Sequence, residues 1–98
     1  MSCEIDVTNT AEADLDAIRP YYRRQVLDGM ERHLRFLPMR ESGSRIKRLR
    51  LLDSPGYRLR VGEFRIFYDI DEAVGVVTVL RVLSKDASLA YLDDLGGA

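Results

Sequence analysis

The stretch YRLRVGEFRIFYDID, Tyr57 to Asp71, decides the fold. Two runs rich in β-branched and aromatic residues, Tyr57 to Val61 and Phe64 to Ile70, are separated only by Gly62 and Glu63. A two-residue connection with glycine first has the composition of a type II′ hairpin turn. Counting outward from it, Val61 pairs with Phe64, Arg60 with Arg65 and Leu59 with Ile66. Directly opposed residues share a face of the sheet. Arg58, Arg60 and Arg65 therefore share one face, while Leu59, Val61, Phe64, Ile66 and Tyr68 turn to the other, toward a core. Two arginines placed opposite each other repel by about a few tenths of a kcal/mol. A ligand phosphate would give a reason to stack them. A merely solvated basic face, with Glu63 and Asp69 as neutralising neighbours, is the other reading, and both stand at this point.

Before the hairpin, Ile5 and Val7 alternate with polar residues and predict a short opening strand. Thr8, Asn9 and Thr10 are all good N-caps, with acids following at Glu12 and Asp14, so a helix is expected from Ala11 to Ile18. Pro20 either opens a second helix or kinks a continuous one. Tyr22, Val26, Met30, Leu34 and Leu37 recur at the spacing of an amphipathic helix that ends near Pro38, with Arg19, Arg23, Arg24, Arg32 and Arg35 on its other face. Glu41 to Ser44 reads as a loop. Ile46 to Leu52 is a strand of imperfect alternation, entered into the hairpin through Ser54-Pro55-Gly56. Val74 to Leu83 is the last strand, and Asp86 to Leu95, capped by Ser84 or Asp86 and stopped by Gly96-Gly97, the last helix. The order β-α-α-β-β-β-β-α describes an α+β protein, a helical hairpin packed on a mostly antiparallel sheet. If the next hairpin turns about Glu72 and Ala73, Arg81 falls opposite Arg65 or close to it, although a slip of one residue would send it to the core face.

With 98 residues the chain has room for one domain, spanning residues 1–98. A hydrophobic share of 46% beside 32% charged residues is an ordinary globular composition. No apolar run approaches the roughly 18 residues that span a bilayer, and the first ten residues do not resemble a secretory signal. Cys3 is the only cysteine, which excludes an internal disulfide, and a cytoplasmic location is the default expectation. The net charge of −1 hides a strong asymmetry. Residues 19–68 hold 13 of the 15 basic residues, while Glu4, Asp6, Glu12, Asp14 and Asp16 make the first 18 residues purely acidic. A basic middle between acidic ends is a footprint that phosphate binding leaves, and that a solvated helix face leaves as well.

Other chemistries find little support. His33, the single histidine, lies on a helix among arginines with no serine or cysteine placed to use it, and reads as a surface residue. No Cys/His cluster exists to bind a metal. Asp69 and Asp71 look like acids at a strand end rather than cation ligands. Among the aromatic residues Tyr57, Phe64, Phe67 and Tyr68, stacking platforms for bases are conceivable, but core packing explains most of them more simply.

Tyr57 to Asp71, followed by Val77-Thr78-Val79-Leu80-Arg81-Val82, resembles the signature run of the RelE/ParE superfamily of toxins from type II toxin–antitoxin pairs. The leading strand and helical hairpin fit the same order, so the likeness covers essentially the whole chain. It implies a small α+β toxin held inactive by a cognate antitoxin protein, with a toxin–antitoxin hetero-oligomer as the expected assembly. RelE-like members cut messenger RNA on the ribosome without metal or other cofactor. There the substrate 2′-OH attacks the adjacent phosphate and basic residues stabilise the charge that develops. By position, the resemblance assigns Arg65 to the scissile phosphate, Lys85 to the catalytic arginine beyond the last strand, and Tyr91 to a tyrosine that orients or activates the nucleophile. Arg58 and Arg60 match RNA-binding basic residues of the strand before the turn, and Arg81 is expected to join them. ParE-like members poison DNA gyrase instead.

The chain departs from the RelE pattern just after the last strand, where Ser84-Lys85 replaces a His-Arg pair common in the family. Lys85 keeps a charge but lacks the fork that suits a phosphate. Buried among the arginines, its ammonium would also serve as a proton donor. The basic helical hairpin favours gyrase, the shared face of Arg58, Arg60 and Arg65 favours RNA cleavage, and the missing His-Arg pair favours a degenerate module that only binds antitoxin.

Overall fold

The computed structural model describes residues 2–96. Its elements are β1 (Glu4–Val7), α1 (Asn9–Asp16), α2 (Pro20–Leu34), β2 (Ile46–Arg48), β3 (Tyr57–Val61), β4 (Phe64–Asp71), β5 (Val76–Ser84) and α3 (Lys85–Asp94). This is the expected α+β order, and local chemistry fixes most of the boundaries. The Thr8 hydroxyl accepts from the backbone N–H of Ala11 and so caps α1. Pro20 occupies the first turn of α2, where its missing N–H costs nothing. Ser84 caps α3 by accepting from the N–H of Ala87. Gly96 follows α3 with a φ of 76°, as expected of a helix stop, whereas Gly97 lies outside the described residues.

The sheet runs β1-β5-β4-β3-β2, antiparallel throughout except that β1 pairs parallel to β5. The hairpin register is as counted from the sequence: Val61 opposes Phe64, Arg60 opposes Arg65 and Leu59 opposes Ile66. Gly62 has a φ of 56° while Glu63 has no positive φ, which is the pattern of a type II′ turn. One face of the sheet meets α1 and α2. There Ala11, Leu15, Val26, Met30 and Leu34 pack on Leu59, Ile66, Tyr68, Val77, Val79 and Val82. Tyr57 and Tyr68, cross-strand partners on this face, stack with ring centroids 5.5 Å apart. α3 crosses the other face, so the sheet lies between two helical layers.

Several sequence expectations are corrected. α2 stops at Leu34 rather than near Pro38, because a helical Pro38 would clash with the carbonyl of Leu34, four residues back. Leu37 is consequently exposed, and Tyr22, at the other end of the expected apolar stripe, is exposed too, while the stripe's centre is buried. β2 is only three residues long. The adjacent Leu51 and Leu52 break the alternation of a strand, and Leu51 is 84% exposed. The four residues Glu72 to Gly75 form the β4–β5 turn, so Val74 belongs to the loop and not to the strand.

Arg81 opposes Phe67, not Arg65, which faces Leu83 instead. Between Tyr68–Val79 and Phe67–Arg81 the register shifts by one residue, leaving Leu80 unpaired. Continued without that bulge, the register would set Arg81 opposite Ile66 and point it into the core. The bulge re-aims it to the face that carries the other arginines.

Candidate phosphate-binding face

The face covered by α3 is built from β3, β4 and β5. Arg58 and Arg60 project from β3, Arg65 and Phe67 from β4, Arg81 and Leu83 from β5. Among the described residues, none of Arg58, Arg60 and Arg65 has a carboxylate partner. They lean on neutral oxygens instead. The Arg58 Nη2 donates to the Ser44 carbonyl and the Arg60 Nη2 to the Ser44 hydroxyl, each at 2.8 Å. The Arg65 Nη1 donates to the carbonyls of Gly62 and Phe64, both at 3.1 Å, which folds the side chain over the rigid turn and leaves Nε and Nη2 toward solvent.

The electrostatics agree with this geometry. Burial first, and then the nearby charges of Arg65 and Arg60, hold the Arg58 guanidinium below the usual arginine range. The Arg58 Nε is buried without a hydrogen-bond partner among the described residues, a costly state for a charged donor. No guanidinium of the three is sunk in a core ion pair, so an anion would meet them with most of their charge unneutralised.

Lys85 opens α3, and its backbone N–H donates to the Glu63 carbonyl at 2.8 Å, tying the helix start to the β3–β4 turn. It therefore lies at the same end of the face as Arg65. Its side chain is exposed, so it is not the buried ammonium that the proton-donor expectation required.

Tyr91 lies further along α3, with its ring 5.0 Å from that of Phe67. This contact explains why Phe67 is fully buried on a face that also carries four arginines. Burial, only partly opposed by the Arg81 charge, pushes the Tyr91 phenol above its ordinary value.

Arg81 is the exception among the arginines. Its Nε and Nη2 donate to the two carboxylate oxygens of Asp14 at 2.8 and 3.1 Å, and its guanidinium carbon sits 5.5 Å from the centre of the Tyr91 ring. Asp14 also accepts from the backbone N–H of Val82 at 2.9 Å, on the edge of β5 that β1 does not cover. Sequence reading missed Asp14. Its position, seven residues after a strand that turns out to run parallel to β5, carried no local sign of that contact. Phe67 and Ser44 were missed as parts of this face too, although the hairpin count alone places Phe67 opposite Arg58. Of the expected aromatic platforms, Tyr57 and Tyr68 are core residues and Phe64 is half-buried beside Tyr22. His33 accompanies Arg45 at 2.8 Å on the opposite side of the sheet, away from this face.

A helical pair and a terminal helix enclosing a five-stranded sheet, with unpaired arginines on the face of the terminal helix, define a protein of the RelE-like toxin fold. The chain is similar to a chain of the RelBE2 toxin–antitoxin complex of Mycobacterium tuberculosis, with 23% identity, a TM-score of 0.59 and coverage of 86% of this chain and 99% of that one. It also superposes on a chain of the archaeal RelE–RelB complex of Pyrococcus horikoshii, with 16% identity, a TM-score of 0.63 and coverage of 87% and 97%. Free Escherichia coli RelE, in a doubly substituted form, matches with 20% identity, a TM-score of 0.57 and coverage of 93% and 92%. No curated protein sequence matches. A family profile described as the ParE toxin of type II toxin–antitoxin system, parDE, matches residues 5–88. The chain belongs to this family of toxins.

Proposed function

We propose that the chain is a RelE-like endoribonuclease that cuts messenger RNA on the ribosome and is neutralised by a cognate antitoxin. The observation that carries this reading is the group of Arg58, Arg60 and Arg65, unpaired with any described carboxylate, on one sheet face beside Lys85 and Tyr91. In the proposed reaction the substrate 2′-OH gives up its proton to solvent as its oxygen bonds to the adjacent phosphorus. The P–O5′ bond breaks, the 5′ oxygen leaving and taking up a proton from solvent, so that a 2′,3′-cyclic phosphate and a 5′-OH remain. Charge builds on the phosphoryl oxygens along the way. Preorganised cations stabilise it, each worth ~3–4 kcal/mol when well aimed. Arg65, held at the turn with Nε and Nη2 free, meets the scissile phosphate, and Lys85 adds charge from the start of α3. Arg58 and Arg60 bind the flanking backbone. Tyr91, whose half-buried phenol keeps its proton at neutral pH, orients the nucleophile by hydrogen bonding and does not act as a base. Arg81 serves here through Tyr91, since Asp14 already occupies its fork.

Gyrase poisoning is the second reading, and the family's own description as ParE toxins favours it. Induced expression in cells followed by mapping of transcript 5′ ends separates the two. Cuts inside translated codons are expected. Induction of the DNA-damage response without such cuts would move gyrase to first place.

A further inference from the structure

Large apolar side chains stand exposed where α2 gives way to the loop before β2. Phe36 is 61% exposed, Leu37 56% and Met39 46%. Solvated arginines do not need such neighbours, and a cluster of this kind marks a contact surface. The chain forms two grooves here. One, of about 380 Å³, runs between this segment and the β4–β5 turn, and its walls are mainly Cys3, Phe36, Leu37, Pro38 and Ile70, with Glu72 at the end nearest that turn. The other, of about 310 Å³, lies toward β2 and is lined by Arg32, His33, Arg40 and Arg45. Phe36, Leu37 and Arg40 line both, so an apolar trough and a cationic one share a common ridge. Among the described residues Arg32, Arg40 and Arg45 have no carboxylate partner. All of this is on the α2 side of the sheet, away from the face of Arg58, Arg60 and Arg65.

Three occupants can be compared. A second copy would set this ridge against itself and bring two sets of arginines together, a like-charge juxtaposition that costs affinity. A nucleic acid would satisfy the arginines and leave Phe36, Leu37 and Met39 in water. An acidic amphipathic peptide segment satisfies both, with its apolar residues in the first groove and its carboxylates against the second.

We propose that this ridge is a docking site for an acidic amphipathic segment of the antitoxin, separate from the face that carries the chemistry. The proposal rests on the toxin–antitoxin reading above. The docked segment covers Phe36 and Leu37 while the arginine rim speeds encounter and fixes direction.

The test uses the polypeptide encoded beside the toxin gene as the probe, titrated calorimetrically into the purified full chain and into the Phe36→Asp and Arg40→Glu variants. Both positions are exposed, and melting curves of each variant confirm the fold. Phe36→Asp is expected to weaken binding at least about tenfold, as loss of an interface anchor does. Arg40→Glu should weaken it by a smaller factor and reduce its dependence on salt. Growth inhibition by either variant without the probe should equal that of the unaltered chain. Affinity unchanged in both variants overturns the docking site. A chain that dimerises alone, and loses the dimer in Phe36→Asp, overturns it in favour of a second copy. Failure of the probe to bind even the unaltered chain removes the antitoxin reading itself, whereas normal binding without any RNA cleavage removes only the nuclease.

Discussion

Removing the Asp14 carboxylate tests whether the arginine face is held together from behind. In Asp14→Ala three hydrogen bonds disappear: two from the Arg81 guanidinium and one from the backbone N–H of Val82. The Arg81 side chain is 32% exposed and that of Asp14 14%, so the ion pair is discounted for solvent to about 1 kcal/mol or less. The Val82 N–H is partly buried and loses its acceptor, which adds roughly 1–2 kcal/mol. The sum is about 2 kcal/mol, and for a domain of this size it lowers the melting temperature by roughly 10 °C. Asp14→Asn keeps one oxygen for Val82 and gives up the charge together with one acceptor for Arg81, so it should cost about half as much. Circular-dichroism melts of the three proteins at neutral pH measure this. An Asn variant as unstable as Ala would show that the charge alone matters. A stable Ala variant would mean that Asp14 does not clamp Arg81 at all.

Four further expectations follow from other parts of the molecule. Gly29→Ala should gain about 1 kcal/mol of helix propensity but places a Cβ 2.6 Å from a Val61 methyl. Net destabilisation of about 1 kcal/mol in thermal melts is therefore expected, converting to a gain when Val61→Ala is added. The Tyr68 and Tyr91 phenols are both raised by burial. The stability they contribute is thus complete below the ordinary tyrosine value near 10 and is lost as pH rises above it. Tyr91→Phe should shrink that alkaline loss in urea titrations from pH 9 to 11. Lys85→Arg should keep or increase toxicity, whereas Lys85→Ala should reduce it, with colony counts after induction as the readout. Tyr91→Phe should reduce toxicity to a smaller extent than Lys85→Ala in the same assay.

The β3–β4 hairpin was fully legible in the sequence because a two-residue turn with glycine first leaves one register open, and the side-chain alternation then fixes both faces. The helix starts were legible to within one or two residues, since Thr8, Pro20 and Ser84 act within their own turn of chain, although neighbouring caps and a helix kinked at Pro20 stood beside them as alternatives. What failed depended on partners far away in sequence. Leu51 and Val74 read as strand residues until pairing showed no neighbour for them. Arg81 reached the arginine face only through the bulge at Leu80, and no local composition announces a bulge of that kind. Its partner Asp14 came into reach because β1 lies parallel beside β5 and leaves the far end of that strand's edge open to α1. The exposed Phe36 and Leu37 looked like the end of a helical stripe, and only the helix stop forced by Pro38 turned them into surface.

The reading of this face as an RNA-cleaving site is tested most directly by Arg65→Ala. Among the described residues the Arg65 side chain makes two hydrogen bonds, both to carbonyls of its own hairpin, and it faces a like charge at Arg60, so the melt should change little. The measurement pairs transcript 5′-end mapping after induction with that melt, for the unaltered chain and the variant side by side. Cuts within translated codons by the unaltered chain, lost in Arg65→Ala at an unchanged melting temperature, are the expected result. A variant that stays fully toxic with the same melt contradicts the assignment and leaves gyrase as the target to pursue.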